Sequence, residues 1–160
     1  MSASKQNQKG ANPNILATNR KARRDYEVLE SIEAGLVLRG TEVKSMRAGK
    51  FSIEQSHGRV EQGQIYLHDF NILPYEFGNI HNHDPNRPKK LLLHKREILK
   101  IKSKLQIKGL TMIPMRVYLK KRRVKVEIAL CRGKNLHDKR ETLKRKTSER
   151  EARRDNPKYR

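Results

Sequence analysis

Two alternating segments in the last third of this chain constrain its fold more than any other feature. Met115, Val117 and Leu119 alternate with Arg116, Tyr118 and Lys120. After Lys121-Arg122-Arg123, Val124, Val126, Ile128 and Leu130 alternate with Lys125, Glu127, Ala129 and Cys131. Side chains that alternate with a period of two lie on opposite faces of an extended backbone. Each segment is therefore a strand with one buried face, and Lys125 is expected to point outward between two buried valines.

The rest of the chain reads as further short strands with two or three helices. Tyr26-Glu27-Val28 alternates as a half-buried strand, and the pattern resumes at Leu36-Val37-Leu38 after a bend at Gly35. Thr41 is placed to cap a short helix from Glu42 to Ala48, with Val43 and Met46 on its buried face and Gly49 at its end. Residues 51–60 and 64–72 read as two strands around Gln62-Gly63. Residues 74–88 form a long loop of turn-forming residues, and loops of that length are uncommon in compact domains unless they work. Residues 89–108 are expected to be helical in their second half, where Ile98, Ile101 and Leu105 make an apolar stripe and Lys100, Lys104 and Lys108 line another face. Gly109 stops that helix. About 110 residues organised this way suggest a mainly β fold, a small OB-like closed β-barrel with two to three flanking helices.

Charge decides the class of partner. The chain has 160 residues and a formal net charge of +21. Residues 1–24 hold six Lys/Arg and no acid, residues 25–131 hold twenty and twelve, and residues 132–160 hold twelve and five. A basic domain between two more basic arms points to nucleic acid. There is no apolar run long enough to span a bilayer, and the basic tail lacks the apolar face of an interfacial helix, so no membrane is expected. The N-terminus shows no apolar signal segment, and the single cysteine, Cys131, suits the cytosol. A cytoplasmic location is the expectation.

The chemistry-bearing motifs point the same way. His81-Asn82-His83-Asp84 is the best metal candidate, but no second cluster of ligands supports it. Cys131 lies in strand alternation, with nothing in the sequence to place a base beside it. No phosphate-binding glycine loop and no carboxylate pair are present. Neither catalysis nor a cofactor is expected. Tyr75, Phe77, His81, His83 and His137 interleave with the basic runs, an arrangement that stacks bases as well as holding phosphate. Beyond Lys139 the tail has charge but no apolar stripe, so it is expected to lack order in the free protein and to become helical on a polyanion.

Seven blocks in order give the chain a resemblance to one family. They are Asn19-Arg20-Lys21-Ala22-Arg23; Glu33-Ala34-Gly35 with Gly40-Thr41-Glu42-Val43-Lys44-Ser45; Arg47-Ala48-Gly49-Lys50; Pro74-Tyr75-Glu76; Asn82-His83-Asp84-Pro85; Lys90-Leu91-Leu92-Leu93-His94-Lys95-Arg96-Glu97; and Gly133-Lys134-Asn135-Leu136-His137-Asp138-Lys139-Arg140. Together they resemble the SmpB family of tmRNA-binding proteins, and the resemblance covers about residues 15–146.

The resemblance implies a non-enzymatic adaptor of trans-translation. It would bind the tRNA-like domain of tmRNA and carry it to stalled ribosomes, its tail occupying the empty decoding site and mRNA path. Elongation factor Tu and alanyl-tRNA synthetase would be partners indirectly, through tmRNA, and the protein would act as a monomer. By the same resemblance Glu33, Leu92 and Lys125 match positions used for tmRNA, and Arg20, Lys21, Arg23, Lys89 and Lys90 are the basic residues expected to join them. A run of three leucines leaves core packing open for Leu92. Gly133, Lys134, His137, Asp138, Lys139 and Arg140 match the segment that enters the decoding region. There His137 would stack on an rRNA base, Lys139 and Arg140 would hold phosphate, and Asp138 would cap the following helix. Where the family often has an Asn-Gly-like turn before its last strand, this chain has Lys-Lys-Arg-Arg. A ribosome-associated or ribosome-assembly rRNA-binding protein is the alternative. The expected division is a flexible lead at 1–19, an RNA-binding domain at 20–132 and a basic tail at 133–160.

Overall fold

A computed structural model describes residues 14–154. The elements in chain order are β1 (Ile15–Thr18), α1 (Arg20–Asp25), β2 (Tyr26–Leu36), α2 (Gly40–Arg47), β3 (Phe51–Ser52), β4 (His57–Glu61), β5 (Gln64–His68), β6 (Asn71–Ile72), β7 (Lys89–Leu92), α3 (Lys95–Leu105), β8 (Leu110–Lys120), β9 (Arg123–Gly133) and α4 (Leu136–Arg154). A single 3-10 turn, Asn79–His81, interrupts the long loop.

The fold closes on itself. The neighbours run β8-β4-β5-β7-β2-β9, and β9 pairs back onto β8, so six antiparallel strands complete a ring. The two alternating segments supply the long β8–β9 pair, in register from Leu110 opposite Arg132 to Lys120 opposite Arg123. An irregularity between Pro114 and Arg116 divides β8. Its first half meets β4 at Met112, and its second half meets β1. Inside the ring lie Ile65, Leu67, Phe70, Ile72, Leu91, Val117, Val126 and Ile128, all 2% exposed or less. Ile98 and Ile101 of α3 and Met46 of α2 pack onto the same core.

The structure departs from the sequence reading at several points. Residues 15–18 are not part of a flexible lead: they form β1, because Ile15, Ala17 and Thr18 find partners on the half of β8 beyond its irregularity. Residues 1–13 of that lead lie outside the described residues. The basic run that follows is a helix, α1, capped by Asn19, whose Oδ1 accepts from the Ala22 N–H at 2.9 Å. α2 starts one residue before Thr41. Its first turn is closed by Glu42, whose carboxylate accepts from the Arg39 N–H at 2.6 Å. The run 64–72 breaks at Asp69, which adopts φ 53° and turns the chain.

Outward faces are not all solvated. Ala129 and Cys131 point away from the ring interior, yet they are fully buried with Ile113, Met115 and Ala22 under α1. α4 is already a helix, where absence of order was expected. Its 19 residues exceed the ~12–15 below which isolated helices are marginal. Its described side chains are exposed apart from the partly covered Thr142, so among the described residues it adds no buried side chain to either core cluster. Among the described residues no helix is long and apolar enough to cross a membrane.

Candidate nucleic-acid interface

Strand parity builds one surface from four strands. Gly35 of β2 stands opposite Leu92 on one side and Lys125 on the other, and Lys125 stands opposite Tyr118. Leu91, Val124, Val126 and Val117 point into the core at neighbouring positions, so Leu92, Lys125 and Tyr118 all point outward. The outcome is a row across β7, β2, β9 and β8 that reads apolar, glycine, cation, aromatic, with Gly35 buried beside the Leu92 side chain. Leu92 is 55% exposed, which removes core packing as its role. Gly35 keeps the row close, since a Cβ there would lie 3.2 Å from Leu92 Cβ. A groove of about 310 Å3 is lined by Gly35, Leu92 and Lys125 of this row together with Leu38 and Val43.

Glu33 belongs to the next row, opposite Glu127, with Arg116 beyond. Its carboxylate accepts from the Tyr118 hydroxyl and from Lys120 Nζ at 3.0 Å. The Tyr118 hydrogen bond, then the one from Lys120, hold the Glu33 carboxyl below the usual range. Partial burial, and then the Glu33 hydrogen bond, push the Tyr118 phenol up to about 12. Glu33 is thus an orienting group: it fixes an aromatic ring and a cation beside Lys125. Arg116 is paired with Glu127 in the same manner. Tyr118 and Lys120 were not among the sequence candidates, although their alternation with Val117 and Leu119 already placed them outside.

The other expected residues fall into three groups. Arg20, Lys21 and Arg23 are exposed on α1, while Ala22 is the buried anchor between them. α1 covers Ala129, four residues along β9 from Lys125, or about 13 Å at strand rise. Its cations therefore extend the same outer face. Lys90 points outward two residues before Leu92, opposite Tyr66, which in turn stands opposite Arg59.

Lys89 does not belong to this surface, contrary to the sequence expectation. It begins β7 pointing inward, is 0% exposed, and donates from Nζ to the carbonyls of Phe70 (2.7 Å) and Pro85 (2.9 Å). Burial lowers its pKa to about 8. The ammonium pins the long loop to the ring and has no path to a phosphate.

That loop is built rather than loose. Glu42, fully buried, receives Arg87 through two guanidinium nitrogens, the closest contact being 2.7 Å. Asn82 accepts from the Tyr75 N–H and donates to the Tyr75 carbonyl at 2.9 and 2.8 Å. His83 is buried with both ring nitrogens engaged, one by Thr41 Oγ1 and one by the Ile72 carbonyl, each at 2.9 Å. That makes His83 a structural residue. Among the described residues no group of three or more His, Cys, Asp or Glu is arranged to hold a metal. Cys131 is an interior strand residue whose thiol burial pushes up to about 11.

At the far end, β9 ends at Gly133, and the Lys134 N–H donates to the Asp25 carbonyl at 3.0 Å. That bond ties the start of the tail to α1. α4 then begins at Leu136, so Asp138 sits inside its first turn rather than ahead of it. Asp138 and Arg140 are exposed; the side chains of His137 and Lys139 lie outside what the structure describes.

Comparison with known proteins gives this surface its setting. The family model described as SmpB protein matches residues 16–158. The SsrA-binding protein of Desulforudis audaxviator is 53% identical over 133 residues, covering 83% of this chain and 87% of its own. That of Latilactobacillus sakei subsp. sakei is 54% identical over 149 residues, covering 93% and 94%. A chain from a solved structure of tmRNA–SmpB in the bacterial ribosome aligns with TM-score 0.64 and 49% identity, over 75% of this chain and 85% of that one. With a family model spanning most of its length and relatives about half identical, the chain belongs to the SmpB family.

Proposed function

We propose that this chain is an RNA-binding adaptor of trans-translation and not an enzyme. It binds the tRNA-like domain of tmRNA and delivers it to ribosomes stalled on messages without a usable stop codon. The observation that carries this reading is the outer row Leu92, Gly35, Lys125 and Tyr118, oriented by Glu33, in a chain of this family. Leu92 and the Tyr118 ring offer flat or apolar surface to unstacked bases, and Lys125 meets phosphate. Arg20, Lys21 and Arg23 continue the basic track, with Lys90 at its other flank.

The tail performs the second task. Gly133 and Lys134 form the joint, and α4 carries charge without an apolar stripe. It enters the empty decoding site and mRNA path, where His137 stacks on an rRNA base, Asp138 favours the helix N-terminus, and Lys139 and Arg140 hold phosphate. Elongation factor Tu and alanyl-tRNA synthetase meet the protein through tmRNA. The adaptor works in the cytoplasm as a monomer.

The test is the RNA that copurifies with the full chain at moderate salt. One species of tmRNA size, identified by sequencing, supports the reading. Bulk rRNA alone points instead to a ribosome-assembly protein and overturns it.

A further inference from the structure

The turn between β8 and β9 is built from the wrong residues for its shape. Lys120 pairs with Arg123, leaving Lys121 and Arg122 as a two-residue connection with φ 48° and 63°. Positive φ at both central positions favours Asn-Gly, because only glycine escapes the Cβ clash and asparagine tolerates it best. The chain uses a solution of that kind elsewhere. The turn between Glu61 and Gln64 has the same geometry, with Gln62 at φ 48° and Gly63 at φ 72°. A hairpin needing only to reverse direction has no use for Arg122. The position is held by Arg47 of α2, whose Nη2 donates to the Arg122 carbonyl at 3.2 Å.

Charge pairing singles out the same residues. Lys100 and Lys104 are held by Glu30, Arg116 by Glu127 and Lys120 by Glu33. Lys121, Arg122 and Arg123 are exposed, and among the described residues no carboxylate pairs with them. Their location joins them to the RNA surface. Arg122 and Arg123 line the groove shared with Leu92 and Lys125, and Lys121 lines the one shared with Glu33 and Tyr118. The turn thus spans one end of the row.

We propose that this turn is a separate phosphate grip: Lys121, Arg122 and Arg123 hold the sugar-phosphate backbone of the RNA strand that overruns the row, and backbone strain is kept in exchange for charge. Guanidinium groups suit this because their donor fork matches phosphate oxygens. The proposal rests on the RNA-adaptor reading and adds to it a binding site outside the candidate residues.

The experiment uses the full chain and an in vitro transcribed tRNA-like domain of tmRNA, with the dissociation constant measured across a salt series. One variant combines Lys121→Asn with Arg122→Gly, which relieves strain and removes charge. A second combines Lys121→Gln with Arg122→Gln, which removes charge alone. A control combines Lys102→Gln with Lys108→Gln, exposed cations away from the row. Removing one cation–phosphate pair lowers the slope of log affinity against log salt by ~0.7–0.9. Both turn variants should lower the slope by about one to two such steps and weaken binding about tenfold at low salt, and the control should not. The Asn-Gly variant should also melt at a higher temperature, so its weaker binding cannot come from unfolding.

Wild-type slopes in both turn variants, while Lys125→Ala still weakens binding, would overturn this proposal and leave the adaptor reading standing. So would an equal decrease in the control. A wild-type chain that binds a tRNA of similar size as tightly as this RNA would sink the adaptor reading, and this proposal with it.

Discussion

Replacing Glu33 by Gln separates two accounts of the RNA surface that predict opposite signs. If the surface works by charge alone, removing a carboxylate beside Lys125 and Lys120 strengthens binding. At roughly 8 Å in salty water the gain is a few tenths of a kcal/mol. If Glu33 instead orients the Tyr118 hydroxyl and Lys120, the amide loses the charge-assisted hydrogen bonds that fix both. A base stacked on an aromatic side chain is worth ~1–3 kcal/mol. Disordering the ring should forfeit about 1 kcal/mol of that, which is about fivefold in affinity. The net expectation is weaker binding of the tRNA-like domain by three- to fivefold, with fold stability changed by less than ~1 kcal/mol because the pair is exposed. Titrating the tyrosines by NMR supplies an independent readout. The Tyr118 phenol should titrate below about 12, yet above an unperturbed tyrosine, because burial is the larger cause of its shift and persists in the variant. Tighter binding, or an unmoved Tyr118 with unmoved affinity, would refute the orienting role.

Other substitutions test the remaining structural claims. Lys89→Met should cost ~2 kcal/mol at neutral pH by leaving the Phe70 and Pro85 carbonyls without their donor, while the folded variant keeps wild-type RNA affinity within twofold; a tenfold drop in affinity at unchanged stability would return Lys89 to the interface. Between pH about 8 and 10.5 an unfolded Lys89 still binds a proton that the folded one has released. Wild-type stability should therefore rise with pH relative to the variant in that window, by on the order of 3 kcal/mol, as read by denaturant titration. Asn19→Ala removes the α1 cap together with bonds to the Ile53 and Pro114 carbonyls and should cost ~2–4 kcal/mol; a cost below about 0.5 kcal/mol would contradict that account. Cys131 should resist a thiol reagent at neutral pH and react only at the rate of unfolding, since it is buried with its pKa raised to about 11.

Local pattern made part of this molecule readable from its sequence. The β9 alternation, the Val117 and Leu119 part of β8, the α3 stripe of Ile98 and Ile101, and the Gly49 stop each depend on residues within a few positions of one another, whereas Met115, expected on the face of Val117, lies across the β8 irregularity among the outer residues under α1. What was not readable depends on partners far along the chain. Lys89 looks like any surface cation until β7 pairs with both β5 and β2 and fixes which of its residues point inward. β1 and α1 are too short to show a period, and their order comes from β8 and from the underside of Ala129 and Cys131. The same holds for the site. The outward direction of Lys125 followed from alternation, and its choice as a contact from the family resemblance, whereas Leu92 could be assigned to the surface only once Gly35 lay beside it. Tyr118 became a member of the site through Glu33, a hydrogen bond across 85 residues of sequence.

The central claim is a division of labour, in which the ring surface holds tmRNA and the tail acts on the ribosome. Truncation after Leu136 tests it most directly when affinity for the tRNA-like domain and tagging on stalled ribosomes are measured on the same preparation. The account predicts affinity within about twofold of the full chain and no tagging. Loss of both together, or tagging that survives without the tail, would contradict it.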